Sequence, residues 1–125
     1  MCDVDKVELS LPAKKEYARL LRLAITGIAS RMEFTVDSLE DIKIALEEAY
    51  LLALSDPEQK RFDVIFEIYP DRLEVLVTGL GKIESLEEQQ SKKFGFSILN
   101  SVMDDVKWLK SGGISNLRMV KKIQK

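Results

Sequence analysis

Two short apolar runs, Phe62 to Tyr69 and Leu73 to Thr78, flank the triplet Pro70-Asp71-Arg72. Both runs are rich in β-branched and aromatic residues, which suit a half-buried pleated surface. Proline and aspartate pre-set a tight turn. The runs therefore form a hairpin, and their strands are antiparallel. A second pair, Val106 to Lys110 and Ile114 to Val120, surrounds Ser111-Gly112-Gly113. Consecutive glycines supply the positive φ that two-residue hairpin turns need.

The rest of the chain must cover these hairpins. Val4 to Leu11 alternates in its second half and reads as a strand with one buried face, ended by Pro12. From Ala13 to about Met32, Tyr17, Leu20, Leu21, Ala24, Ile25 and Ile28 recur at three and four, the mark of an amphipathic helix. A second helix starts near Thr35 or Asp37, with Ser38 and Asp41 fitting a capping box. It presents Leu39, Ile42, Leu46, Ala49, Tyr50 and Ala53 to a core and stops at Ser55-Asp56-Pro57. Gly79 to Lys93 is polar and reads as a loop; Phe94, Ile98, Leu99 and Val102 follow at helical spacing. The order β-α-α-β-β-α-β-β predicts an α+β fold in a single domain over residues 1–125. Its form is a two-layer sandwich of a mixed, mainly antiparallel sheet on helices near 13–32, 36–54 and 95–103.

Several function classes drop out. The formal net charge of -2 argues against nucleic acid, whose binders are basic. With no histidine, there is no Ser-His-Asp catalysis and no His-ligated metal. The acidic run from Glu84 to Gln90 fixes no ligand geometry, so no metal site is expected. Cys2 is the one cysteine and has no internal disulfide partner. No apolar run has the length of a membrane span, so a cytoplasmic protein is expected.

Ile42 to Ala53 is similar to the Glu-Ala-x-x-Asn-Ala box of the GHKL ATPase superfamily, in its anti-sigma-factor serine kinase branch. Glu48-Ala49 and Ala53 sit where the box has them. Arg22 to Ser30, Glu40 to Ala45, Asp71 to Val75, Gly95 to Leu99 and Met103 to Val106 resemble other parts of that family in order and spacing. The resemblance implies the histidine-kinase-like ATPase fold, with Glu48 as the general base that activates a serine hydroxyl. It also implies that the first helix supports dimerisation and contact with a sigma factor or its antagonist. Arg19, Arg22 and Arg31 are the candidate polar anchors there, since arginine pairs bidentately with carboxylates.

The nucleotide motifs depart from the family at several points. Leu52 stands where an Asn would carry Mg²⁺, and leucine offers no hard oxygen. Gly79-Leu80-Gly81 replaces Asp-x-Gly, removing the carboxylate that accepts the adenine amino group. The lid is shortened to Lys82 to Lys93, and its final Gly-x-Gly has become Lys93-Phe94-Gly95. The expectation is a protein-binding regulator of pseudokinase type, with ATP binding largely lost and no cofactor. The alternatives are a divergent serine/threonine kinase, which would need ATP and Mg²⁺, and a dimeric structural subunit.

Overall fold

The computed structural model describes residues 4–80 and 97–123. The chain runs through β1 (Asp5–Pro12), a 3-10 turn (Lys15–Tyr17), α1 (Ala18–Ala29), α2 (Val36–Leu54), β2 (Arg61–Ile68) and β3 (Arg72–Leu80). It continues through α3, described over 97–102, β4 (Asp105–Ser111) and β5 (Ile114–Lys122). One five-stranded sheet has the order β1-β2-β3-β5-β4. The α+β sandwich is as expected, but the sheet is not mixed: every pairing among the described residues is antiparallel. Both expected hairpins are present, and the second turns on Gly112 and Gly113 at φ 58 and 80.

Alternation along the strands sends Leu11, Phe62, Val64, Phe66, Val75 and Val77 toward the helices, where they join Ile25, Ile42 and Leu46 in one buried cluster. Full burial of such a side chain contributes about 1.5–3 kcal/mol. On α1 the buried stripe is Leu21, Ile25 and Ala29. Tyr17 and Leu20, expected inside, point outward and are 36% and 46% exposed. α1 has more apolar residues than its core face holds, and Leu20 precedes the Leu21 stripe by one residue, about 100° around the helix.

Thr35 caps α2: its hydroxyl accepts the Ser38 N–H at 3.1 Å. Asp41 is therefore not half of a capping box. Tyr50, on the same helix, is fully buried. Its hydroxyl lies in hydrogen-bond reach of the carbonyls of Pro12 and Lys14 and accepts the Lys14 N–H at 3.3 Å. Its ring meets Phe62 edge-on at 4.9 Å. One side chain thus ties the end of β1 to α2.

Among the described residues no helix covers the other face of the sheet, and charge pairs pave it. Arg72 and Arg118 both reach Glu74 at 2.7 Å, Arg118 also faces Asp105, and Lys6 meets Glu67 at 3.6 Å. Glu74 is buried among these partners. Burial by itself would raise its pKa, but the two guanidinium groups outweigh it and hold the carboxyl below its ordinary value of 4.5. A depressed carboxylate stabilises the fold above its unfolded pKa and loses that contribution as pH falls through the folded one. Glu74→Gln is therefore expected to flatten the stability loss below about pH 4.5 in a denaturant titration series. An acid limb as steep as that of the parent would count against the pairing.

Candidate functional site

Asp41, Ala45, Glu48 and Leu52 recur at helical spacing and so share one stripe of α2. The stripe runs along the margin of the core. Ala45 and Leu52 are buried, and Glu48 is half-buried. Among the described residues Glu48 has no hydrogen-bond or ion-pair partner. A half-shielded, unengaged carboxylate is chemically able to accept a proton from a hydroxyl brought to it. One turn on, Leu52 is 6% exposed and belongs to the same apolar cluster as Leu80, Leu99 and Leu117. The position expected to face a metal is a packing position in this chain.

Gly79 does not sit in a phosphate-cradling loop. It lies in β3 at an irregularity in the β3–β5 register between Val77 and Leu80, with φ 70. Its N–H donates to Asn116 Oδ1 at 3.0 Å, and its carbonyl accepts from Gln59 Nε2 at 3.1 Å. The backbone donor is thus already engaged. A Cβ at Gly79 would meet no atom within 4 Å, so it is the positive φ that favours glycine here. Leu80, the next residue, is buried opposite Ser115. Gly81, Phe94, Lys93 and Gly95 lie outside the described residues, as does the acidic run from Glu84 to Gln90.

At the opposite end of the stripe a buried cation closes the arrangement. Lys121 comes up from β5 with a side chain only 8% exposed. Its Nζ donates to Asp41 Oδ2 at 3.1 Å and to the Val102 carbonyl, near the end of α3, at 2.6 Å. Sequence reasoning missed Lys121, Asn116 and Gln59 as contributors. The one available sign was Lys121 at an inward position of an alternating strand.

The three arginines are not brought together. Arg22 pairs with Glu47 of α2 at 3.1 Å, and Arg19 is exposed without a partner among the described residues. Arg31 lies past the end of α1, in a groove beside β1. Between Arg19 and Arg22 the outer face of α1 shows Leu20, followed by Leu23 at 64% exposure. An arginine-flanked apolar helix face of this kind fits a protein surface better than solvent.

Two described positions lack the polar groups that the family motif carries. Leu52 gives no oxygen, Gly79 gives no carboxylate, and among the described residues no three His, Cys, Asp or Glu side chains are grouped to hold a metal ion. No described helix is long and apolar enough to cross a membrane.

No family model matches the chain. Individual proteins do. It is 32% identical over 127 aligned positions to the serine-protein kinase RsbW of Oceanobacillus iheyensis, spanning 86% of this chain and 80% of that protein. The serine-protein kinase RsbW of Bacillus velezensis is 31% identical over 90% of this chain and 82% of its own length. That of Bacillus mycoides is 31% identical over 97% of this chain and 87% of its own length. Protein kinases as a class draw their phosphoryl group from ATP held with Mg²⁺. Relatives bearing that name overturn the expectation of no cofactor.

Proposed function

The chain belongs to the RsbW serine-protein kinase family, and from that membership we propose that it is an anti-sigma-factor-type regulator acting chiefly by protein association. Its partner is a sigma factor or an antagonist protein of the same switch. It works in the cytoplasm as a homodimer and takes Mg-ATP with much lower affinity than its relatives. The outer face of α1 carries this reading: Leu23 is the most exposed large apolar residue on that helix, beside Arg19, which has no partner among the described residues. Direct binding to the purified sigma factor and antagonist is the test, with Leu23→Asp expected to weaken it about tenfold or more. Unchanged affinity for both proteins would remove the α1 face from the account.

The reduced nucleotide affinity follows from Leu52 and Gly79. Loss of one hydrogen-bonding contact costs about 0.5–1.5 kcal/mol net, and more where charge is involved. Two altered contacts therefore place Mg-ATP affinity in calorimetry at least about tenfold below that of a relative with Asn and Asp at these positions. Affinity equal to that relative would reverse the ranking in favour of a second reading, a divergent serine kinase. The carboxylate of Glu48, half-buried and without a partner among the described residues, favours that reading. There Glu48 would take the proton from a serine hydroxyl of the partner, and Glu48→Gln would abolish transfer while leaving the association intact.

A further inference from the structure

Beyond its first turn, α2 carries the carboxylates of Glu40, Asp41, Glu47 and Glu48. Three of them meet a cation. Glu40 reaches Lys43 at 3.3 Å, Asp41 reaches Lys121 at 3.1 Å and Glu47 reaches Arg22 at 3.1 Å. Glu48 is half-buried and has no hydrogen-bond or ion-pair partner among the described residues. Holding a shielded charge without a counter-ion costs stability, and a cation brought to it relieves that cost.

The helical neighbours of Glu48, three and four residues to either side, are Ile44, Ala45, Leu51 and Leu52. Every one of them is apolar. Ala45 and Leu52 are buried in the core. Ile44 and Leu51 lie about 40–60° farther round the helix, toward solvent. They are 41% and 53% exposed. Seven residues of helix put them about 10 Å apart along its axis, with Glu48 between them. The Arg22–Glu47 pair joins this rim to the outer face of α1, where Leu23 stands out.

We propose that Glu48 is the acceptor for an arginine of the protein partner, whose aliphatic stem lies on Ile44 and Leu51 while its guanidinium meets the carboxylate. The inference rests on the protein association put forward above and names the side chain that this part of the surface takes. Charge complementarity selects the occupant. An anionic group would face Glu48 with Glu40 and Glu47 on the same helix. A purely apolar group would bury Glu48 without relief. A serine hydroxyl can pair with the carboxylate but is too small to cover Ile44 and Leu51. Lysine brings a compact, strongly hydrated charge. Arginine suits both parts of the surface: its stem packs on apolar groups, and its planar fork gives two N–H donors to one carboxylate. Arginines in such settings are enriched among the side chains that dominate interfaces.

Binding of the full chain to the purified sigma factor and to the purified antagonist, measured across salt concentration, tests this. Glu48→Gln is expected to weaken association with the arginine-bearing protein about tenfold or more, and the gap to the parent narrows as salt rises. Glu58→Gln makes the same charge change in the exposed turn after α2 and is expected to stay within about twofold of the parent. Ile44→Ser and Leu51→Ser are each expected to weaken binding about threefold to tenfold. Both side chains are exposed, so the circular dichroism spectrum should not change. In a double-mutant cycle, one partner arginine changed to glutamine loses its effect in the Glu48→Gln background. A cycle that couples Glu48 to a serine instead overturns the arginine anchor, as does loss at Glu48 with none at Ile44 and Leu51. Parental affinity of Glu48→Gln, with Leu23→Asp still weakening binding, overturns the anchor and leaves the association standing. A parent chain that binds neither protein overturns both.

Discussion

Asp41→Ala is expected to cost about 2–3 kcal/mol of stability, whereas Lys121→Met is expected to cost less than about 1 kcal/mol and can raise the melting temperature. The asymmetry comes from what each change leaves behind. Lys121 is 8% exposed and Asp41 38% exposed. Removing the carboxylate strands a buried ammonium with the Val102 carbonyl as its remaining acceptor among the described residues. The partial exposure of Asp41 lets water relieve some of the penalty, which places the estimate below the ~3–5 kcal/mol of a fully buried broken pair. Methionine in place of Lys121 instead fills similar space without a charge and frees Asp41 to solvent. Chemical denaturation of the two variants measures the difference. Equal losses would mean that the pair acts as an ordinary surface contact.

Leu52→Asn should cost about 3 kcal/mol and should not raise phosphoryl transfer. The substitution restores the side chain found at this position of the family box, yet the site is now part of the core. Loss of leucine burial removes roughly 1.5–3 kcal/mol, and an unpaired amide in an apolar setting adds about 1–3 kcal/mol, less whatever the margin position allows by hydration. The amide would join Leu80, Leu99 and Leu117 in one cluster. Melting temperature and phosphorylation of a purified antagonist, compared between parent and variant, decide the matter. Unchanged stability together with a gain of transfer would show that only a missing Mg²⁺ ligand separates this chain from an active kinase.

Features with local causes were legible in the sequence. Pro70-Asp71 and Gly112-Gly113 announced the hairpins, and the apolar spacing of α2 announced both its length and its buried face. α1 was legible as a helix but not in its orientation, because apolar residues surround more than half of it. Tyr17 and Leu20 fit an inward spacing that Leu21, Ile25 and Ala29 satisfy instead. Asp41 looked like a capping residue because it lies three positions after Ser38. Its carboxylate goes to Lys121, eighty residues later in the chain. Gly79 read as the start of a loop, and its place in the strand depends on Asn116 and Gln59. Such contacts are fixed by cross-strand register, which no local pattern encodes. The candidate site divides in the same way. Glu48 and Leu52 were readable from one helix, whereas the cation at the head of their stripe required the whole sheet.

The sheet order also sets a sequence in time. β2–β3 and β4–β5 are joined by short turns and can form as soon as their residues leave the ribosome. β1 is made before β2, with which it pairs, but both long helices intervene between Pro12 and Arg61. Closing that span carries an entropic cost that local hairpins avoid, and non-local pairing of this kind slows folding. β1 is accordingly expected to dock after the β2–β3 hairpin has formed, and during refolding its amides should gain protection from exchange after those of that hairpin. Until it does, the edge of β2 that holds Phe62, Val64 and Phe66 stands open. A nascent chain therefore spends its most aggregation-prone interval waiting for residues it already possesses.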